Sequence, residues 1–199
     1  MTKSNEVAME IESLPLGNLW TNCYLLRTDD LVIIIDPGAA TDELFKLIGD
    51  GGVDMIINTH GHFDHVGGNR ILKEKYGAKI LLHQADLALF HETVSPEVKV
   101  DQFIDEGDKI GAGMLEVMHM PGHSPGSIIL VGTNVIFCGD LIFAGSIGRT
   151  DFPGGSPADM AASLQRLAAL PGDYTLYSGH GPATTLAKER AMNPFLNAG

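Results

Sequence analysis

Thr59-His60-Gly61-His62-Phe63-Asp64-His65 decides how the chain is read. Three imidazoles and one carboxylate fall within six positions, and a core cannot take them all, because each buried polar atom needs a partner. On an extended segment, residues i and i+2 point to the same side. His60 and His62 can therefore converge on one ion. Asp64 and His65 follow a change of chain direction and can serve a second. Imidazole nitrogen and carboxylate oxygen are the donors that zinc and its neighbours prefer. Gly61, Gly67 and Gly68 allow the tight path this needs. The plainer alternative is a polar helix start that Asp64 caps.

The run follows a buried strand predicted over 53–58. Before it, Leu31-Val32-Ile33-Ile34-Ile35 is wholly apolar and reads as a strand buried on both faces, ended by Asp36-Pro37-Gly38. Strands are predicted over 7–11 and 19–26. Thr41 is placed to cap a helix with Asp42 and Glu43 in its first turn and Leu44, Phe45, Leu47 and Ile48 as its apolar stripe. Beyond the run, a helix over 69–76 closes at Gly77. A strand over 79–82, a short helix over 85–91 and a strand over 115–120 follow. Segments 127–131 and 135–138 form a hairpin across Gly132-Thr133-Asn134. Ser156-Pro157 starts a helix whose apolar face is Met160, Ala161, Leu164, Leu167 and Ala168. A last strand over 174–177 and a last helix over 183–192 complete the reading. Helices and hairpin-linked strands interleave, which predicts an α+β fold with two sheets and helices outside them, one domain over 1–199.

Three later residues follow apolar strands and have glycine nearby: His123 in Met120-Pro121-Gly122-His123-Ser124-Pro125-Gly126, Asp140 in Phe137-Cys138-Gly139-Asp140, and His180 in Tyr177-Ser178-Gly179-His180-Gly181. Each alone reads as a loop residue. Beside the first cluster they supply the donors it lacks. His119 shares a strand face with Leu115 and Val117, so it is expected in the core or behind a ligand. His83 and His91 carry no motif. Met114, Met118 and Met120 read as packing, and Tyr177 and Phe152 as pocket or core.

Composition bounds the partners. The chain has 199 residues, 44% hydrophobic and 19% charged, which is globular composition. A formal net charge of −12 argues against nucleic acid and anionic membranes as partners. It leaves room for an anionic small molecule, because metal ions reverse a field locally. Cys23 and Cys138 read as buried, reduced thiols of a cytoplasmic protein. Residues 1–14 lack the apolar core of a signal peptide, and no apolar run approaches the ~20 residues of a membrane span.

The run at 59–65, together with His123, Asp140 and His180, resembles the metal signature of the metallo-β-lactamase superfamily. The segments Gly139-Asp140-Leu141-Ile142-Phe143-Ala144-Gly145-Ser146-Ile147-Gly148-Arg149-Thr150-Asp151-Phe152 and Asn193-Pro194-Phe195-Leu196 resemble its small glyoxalase II-like (hydroxyacylglutathione hydrolase-like) branch. The resemblance implies an αββα sandwich of two mixed sheets. It implies two divalent ions, zinc first, with iron or manganese as alternatives. His60, His62 and His123 would hold one; Asp64, His65 and His180 the other; Asp140 would bridge, and Asp64 and Asp140 would be the catalytic carboxylates. It further implies hydrolysis of thioesters of the S-2-hydroxyacylglutathione type through a metal-bridging hydroxide. Glyoxalase II proper grips glutathione with a C-terminal helical domain, whereas Lys188 and Arg190 are the only cations after His180 here. Arg149 is the candidate anion contact, or else pairs with Asp151. Two rivals share the signature. A persulfide dioxygenase would use one iron at His60, His123 and Asp140; a lactonase, a true β-lactamase or a non-catalytic metal-binding domain is the other possibility. A nuclease is disfavoured by the acidity.

Overall fold

Strands apolar on both faces need cover on both faces, and the chain supplies it by stacking two sheets and flanking them with helices. A computed structural model describes residues 9–196. The first sheet has the order β1 (Glu10–Leu16), β2 (Thr21–Arg27), β3 (Val32–Ile35), β4 (Met55–Ile57), β5 (Lys79–Leu82), β6 (Gln102–Phe103). Its first three strands are antiparallel and the remainder parallel. The second sheet uses β7 (Lys109–Ile110), β8 (Leu115–His119), β9 (Ile128–Val131) and β10 (Val135–Gly139). A small hairpin, β11 (Ile142–Phe143) and β12 (Ser146–Ile147), stands apart; β13 (Thr175–Ser178) and β14 (Thr184–Thr185) complete the second sheet in the order β14-β13-β10-β9-β8-β7. Only the β10–β13 pair is parallel there. Both sheets are thus mixed, and the αββα architecture expected from the sequence is present.

Side-chain period decides which layer each residue joins. Ile33 and Ile35 face the second sheet and meet Leu115, Val117, Leu130 and Phe137. Ile34 faces the other way, against α1 (Asp42–Ile48), α2 (Phe63–Val66), α3 (Asn69–Tyr76) and α4 (Leu87–Thr93), through Leu44, Val66, Leu72 and Phe90. On the far side, Ile129, Ile136 and Leu176 pack against α5 (Pro157–Ala168) and α6 (Leu186–Met192) through Met160, Leu164, Leu167 and Leu186. Truncating a fully buried member such as Ile34 to alanine costs about 2–5 kcal/mol.

The predicted caps form. Thr41 accepts from the Leu44 N–H, Ser156 from the Asp159 N–H with Pro157 at the first position, and Gly77 closes α3 at φ 71°. Several expectations need correction. The strand expected over 7–11 runs over Glu10–Leu16, residues 7 and 8 lying outside the described residues. The strand over 174–177 is not the last, because Thr184–Thr185 pairs with it. The final helix begins at Leu186 instead of 183, because the Thr185 hydroxyl caps it by accepting from the Lys188 N–H. A 3-10 turn over Gln84–Asp86 precedes α4. The two-residue strands β6, β7, β11, β12 and β14 are too short to show a period.

Four segments predicted to carry donors start where β4, β8, β10 and β13 end. Backbone bonds join the sheets at this edge: Asn22 N–H to the Gly179 carbonyl at 2.7 Å, and Ile128 N–H to that of Thr59 at 2.9 Å. Cys23 and Cys138 are free and buried. Among the described residues, no helix is long and apolar enough to cross a membrane.

Candidate metal centre

The chain converges here only because glycine leaves room. A Cβ on Gly179 would sit 2.1 Å from Asp140 Oδ1 and 2.7 Å from His65 Cε1. One on Gly61 would meet the Asp86 carbonyl oxygen at 2.8 Å and the Phe90 nitrogen at 2.9 Å. His60 and His62 lie on the extended approach, and α2 then turns the chain so that Asp64 and His65 face the same space.

All seven predicted side chains come together. Donor atoms of His60, His62 and His123 lie within 4.8 Å of one another, as do those of Asp64, His65 and His180, and those of His60, His65 and Asp140. Asp140 lies between the sets: Oδ1 is 3.4 Å from His65 Nε2, while Oδ2 is 3.5 Å from His123 Nε2 and 3.6 Å from His180 Nε2. Asp64 Oδ2 is 3.2 Å from His180 Nε2 and 3.6 Å from His65 Nε2.

Behind the cluster, oxygen acceptors fix the imidazoles. His123 Nδ1–H donates to the Arg149 carbonyl at 2.8 Å, and His180 Nδ1–H to that of Leu19 at 3.1 Å. His65 Nδ1–H donates to Asp36 Oδ2 at 2.9 Å. The Thr59 hydroxyl donates to Asp36 at 2.6 Å and accepts from His60 Nδ1–H at 3.1 Å. In each of these rings Nε2 is thereby turned inward, the arrangement by which an outer acceptor prepares a histidine for a metal. The Thr21 hydroxyl donates to Asp64 Oδ2 at 2.8 Å.

Three of the inward atoms, His60 Nε2, His65 Nε2 and Asp140 Oδ1, are buried with no hydrogen-bond partner. A buried polar atom without a partner costs about 1–3 kcal/mol. His62 Nδ1 and His123 Nε2 face each other at 2.8 Å, nitrogen against nitrogen. Divalent cations would give the orphaned atoms partners, and the nitrogen-and-carboxylate donor set suits zinc, iron or manganese. The residues therefore fit the metals that the sequence implies.

Electrostatics divide the histidines. Burial, helped by the neighbouring imidazoles, holds His60 well below its ordinary value and His62 at about 4, so both stay neutral. Burial also works against a proton on His65, but Asp140 and Asp36 outweigh it and raise that ring. The Asp64 hydrogen bond raises His180. Burial pushes the carboxyls of Asp64 and Asp140 up, yet both end lowered: the His180 hydrogen bond and His65 outweigh it for Asp64, and the neighbouring His65, with His123 and His180, does for Asp140.

Two carboxylates that sequence reasoning missed support the cluster. Asp36, at φ 52° just beyond β3, is buried and accepts the Thr59 N–H at 2.8 Å besides the bonds above. Asp86 is buried and accepts the Gly61 N–H (2.8 Å), the Ser124 hydroxyl (2.6 Å) and the Gly126 N–H (2.6 Å), tying the first histidine loop to the His123 loop. A carboxylate directly after a fully buried strand was the available signal for Asp36; nothing local marked Asp86.

Other candidates fall elsewhere. Arg149 forks onto Asp151 at 2.7 and 2.6 Å and lies 3.7 Å over the Phe152 ring, so its pairing with Asp151 is realised. Phe152 meets the His62 ring at 5.8 Å, whereas Tyr177 stacks on Phe137 inside the core. Arg190 donates to the carbonyls of Ala168 and Gly172. His119 stacks on His83 at 4.1 Å, and its Nε2–H donates to the Pro125 carbonyl. With Asp105 these two form a separate donor group. There the Ala85 N–H occupies His83 Nδ1, which leaves the proton on the nitrogen facing Asp105.

The family model of the metallo-beta-lactamase superfamily matches residues 17–180. The hydroxyacylglutathione hydrolase GloC of Haemophilus influenzae is 35% identical over 210 residues, covering 96% of this chain and 99% of that one. The probable metallo-hydrolase YqgX of Bacillus subtilis is 35% identical, covering 95% and 98%. The crystal structure of TTHA1623 in a di-iron-bound form superposes with a TM-score of 0.86 at 37% identity, covering 93% of this chain and 100% of that one. The chain belongs to the metallo-beta-lactamase superfamily and is a metal-dependent hydrolase of that fold.

Proposed function

We propose that this member of the metallo-beta-lactamase superfamily is a dinuclear thioester hydrolase. His60, His62 and His123 would hold one divalent ion, Asp64, His65 and His180 a second, and Asp140 would serve both. Zinc is the first choice of metal. The observation that carries the reading is the place of Asp140, whose two oxygens lie 3.4–3.6 Å from histidines of both triads. When bound, a pair of divalent ions supplies Lewis acidity for a carbonyl oxygen and acidifies water, whose pKa falls to about 7 at such a metal.

The chain's own residues do the rest. Thr21 holds Asp64 through its hydroxyl, and Asp64, kept ionised, is placed to orient an attacking water. Nearby hydroxyls are already committed as donors: Thr59 to Asp36, Ser124 to Asp86, Ser178 to the Ile142 carbonyl. None of these donates to a histidine, as an activated hydroxyl nucleophile does, so attack by water is favoured over an acyl-enzyme. A thiol of pKa about 8.5 leaves as thiolate without strong acid help. The name of GloC supports hydroxyacyl thioesters, and S-2-hydroxyacylglutathione is the reference substrate.

The test is free-thiol release from that thioester by zinc-loaded protein, with a lactone and a persulfide assayed beside it. Thioester turnover that vanishes on chelation and in Asp140→Ala is expected. Oxygen uptake with a persulfide by a protein holding one iron would assign the dioxygenase reaction instead.

A further inference from the structure

We infer, resting on the two-ion reading, that Asp86 is the positioning residue of the first ion alone, holding the loop of His60 and His62 against the loop of His123. Asp86 is fully buried, and among the described residues no lysine or arginine pairs with it. A carboxylate buried without a cation is costly, so its presence asks for a task. Its place in the chain offers a local one. Asp86 stands at the N-cap of α4, where an aspartate ordinarily accepts a backbone N–H of the first turn. It makes no such bond. Both oxygens serve distant loops instead, 25 to 40 positions away: Oδ2 takes the Gly61 N–H and the Ser124 hydroxyl, and Oδ1 takes the Gly126 N–H.

The donors single out one ion. Gly61 lies between His60 and His62, and Ser124 follows His123, so every ligand assigned to the first ion is next in the chain to a residue that Asp86 holds. Asp64, His65 and His180 have no such neighbour. Glycine lets both loops reach it: a Cβ on Gly126 would lie 2.8 Å from Asp86 Cγ, and one on Gly61 2.8 Å from the Asp86 carbonyl oxygen. The Ser127 hydroxyl accepts the Ser124 N–H at 3.1 Å and lies 2.7 Å from the Ser124 hydroxyl, which steadies the group that Asp86 receives. With the loops so held, His62 Nδ1 and His123 Nε2 stand 2.8 Å apart, close enough to share one ion. In Asp86→Asn one oxygen replaces two. Wherever the NH2 group turns, it meets a backbone N–H, that of Gly61 or that of Gly126, and one loop loses its hold.

Competition with a chromogenic chelator gives the zinc affinities of the wild type, Asp86→Asn and Ser124→Ala, with a thermal melt of each to show folding. Asp86→Asn should weaken one of the two ions about 10–100-fold and leave the other at wild-type affinity. Ser124→Ala removes one donor and moves no backbone, and should weaken the same ion about fivefold, the worth of one hydrogen bond. Second substitutions locate the loss. At free zinc that fills only the tighter site of Asp86→Asn, adding His62→Ala should leave that ion in place, whereas adding His180→Ala should release it. A residual ion that depends on His62 would overturn the inference and keep the two-ion reading. So would equal weakening of both ions, which is what a merely structural brace would give. Should Asp86→Asn fail to fold, Ser124→Ala decides: both ions at wild-type affinity there overturn the inference. A wild type that binds a single ion at saturation would overturn the two-ion reading, and the allotment of Asp86 with it.

Discussion

Asp36→Asn removes one charge and almost no volume, and the backbone accepts it, because asparagine tolerates the φ of 52° found there. Asp36 takes the Thr59 N–H on Oδ1 and both the Thr59 hydroxyl and His65 Nδ1–H on Oδ2. The amide oxygen of asparagine must keep the Thr59 N–H, since a backbone donor cannot turn away. Its NH2 group then faces His65 Nδ1, which must become an acceptor and move its proton to Nε2. That is the atom 3.4 Å from Asp140 and 3.6 Å from Asp64, where the second ion needs a lone pair. Loss of an outer partner of this kind costs about 10–100-fold in metal affinity, or about 1.4–2.8 kcal/mol. Competition between the protein and a chromogenic chelator for zinc measures it, with a thermal melt to show that the variant folds. One of two equivalents should weaken by that factor. Two equivalents at wild-type affinity in a folded variant would refute the assignment of Asp36 as the residue that sets the His65 tautomer.

Gly179→Ala places a methyl group 2.1 Å from Asp140 Oδ1 and should lower kcat/KM by about 100-fold; Gly145→Ala, with open space around its Cβ, should cost only about 1–2 kcal/mol in a urea melt and keep activity. Glu189 accepts from Gly145 N–H, Thr184 and Asn193. Burial raises its carboxyl, but these bonds outweigh that and hold it below its ordinary 4.5. A lowered folded-state value stabilises above the unfolded one and is lost as pH falls through it. Melts of Glu189→Gln should therefore lie furthest below wild type at neutral pH and converge with it under acid; a constant gap would contradict this. Arg149→Gln should change stability by under about 1 kcal/mol, because its ion pair with Asp151 is more than half exposed on both sides.

The layer arrangement was legible because buried strands such as 31–35 announce themselves by composition, and the caps at Thr41, Ser156 and Gly77 by residue type. The donor set was legible because its dense part, 59–65, is local in sequence, and its scattered part follows apolar strands with glycine close to each donor. Asp36 and Asp86 were not, because each acts through partners 23 to 40 positions away that only the folded chain supplies. Asp36-Pro37-Gly38 also carries ordinary turn chemistry, which hid the carboxylate's second task. The hairpin of β11 and β12 was missed for want of length. The role of the Asn193 motif became visible only in the fold, where its side-chain amide donates to the Ser146 carbonyl of β12 and to Glu189 of α6.

Metal content of the purified chain, by elemental analysis after reconstitution and gel filtration, tests the central claim most directly. Two divalent ions per chain are predicted for the wild type, and at most one for Asp140→Ala. A single ion per wild-type chain at saturation, or a full pair in the variant, would contradict a shared centre built around Asp140.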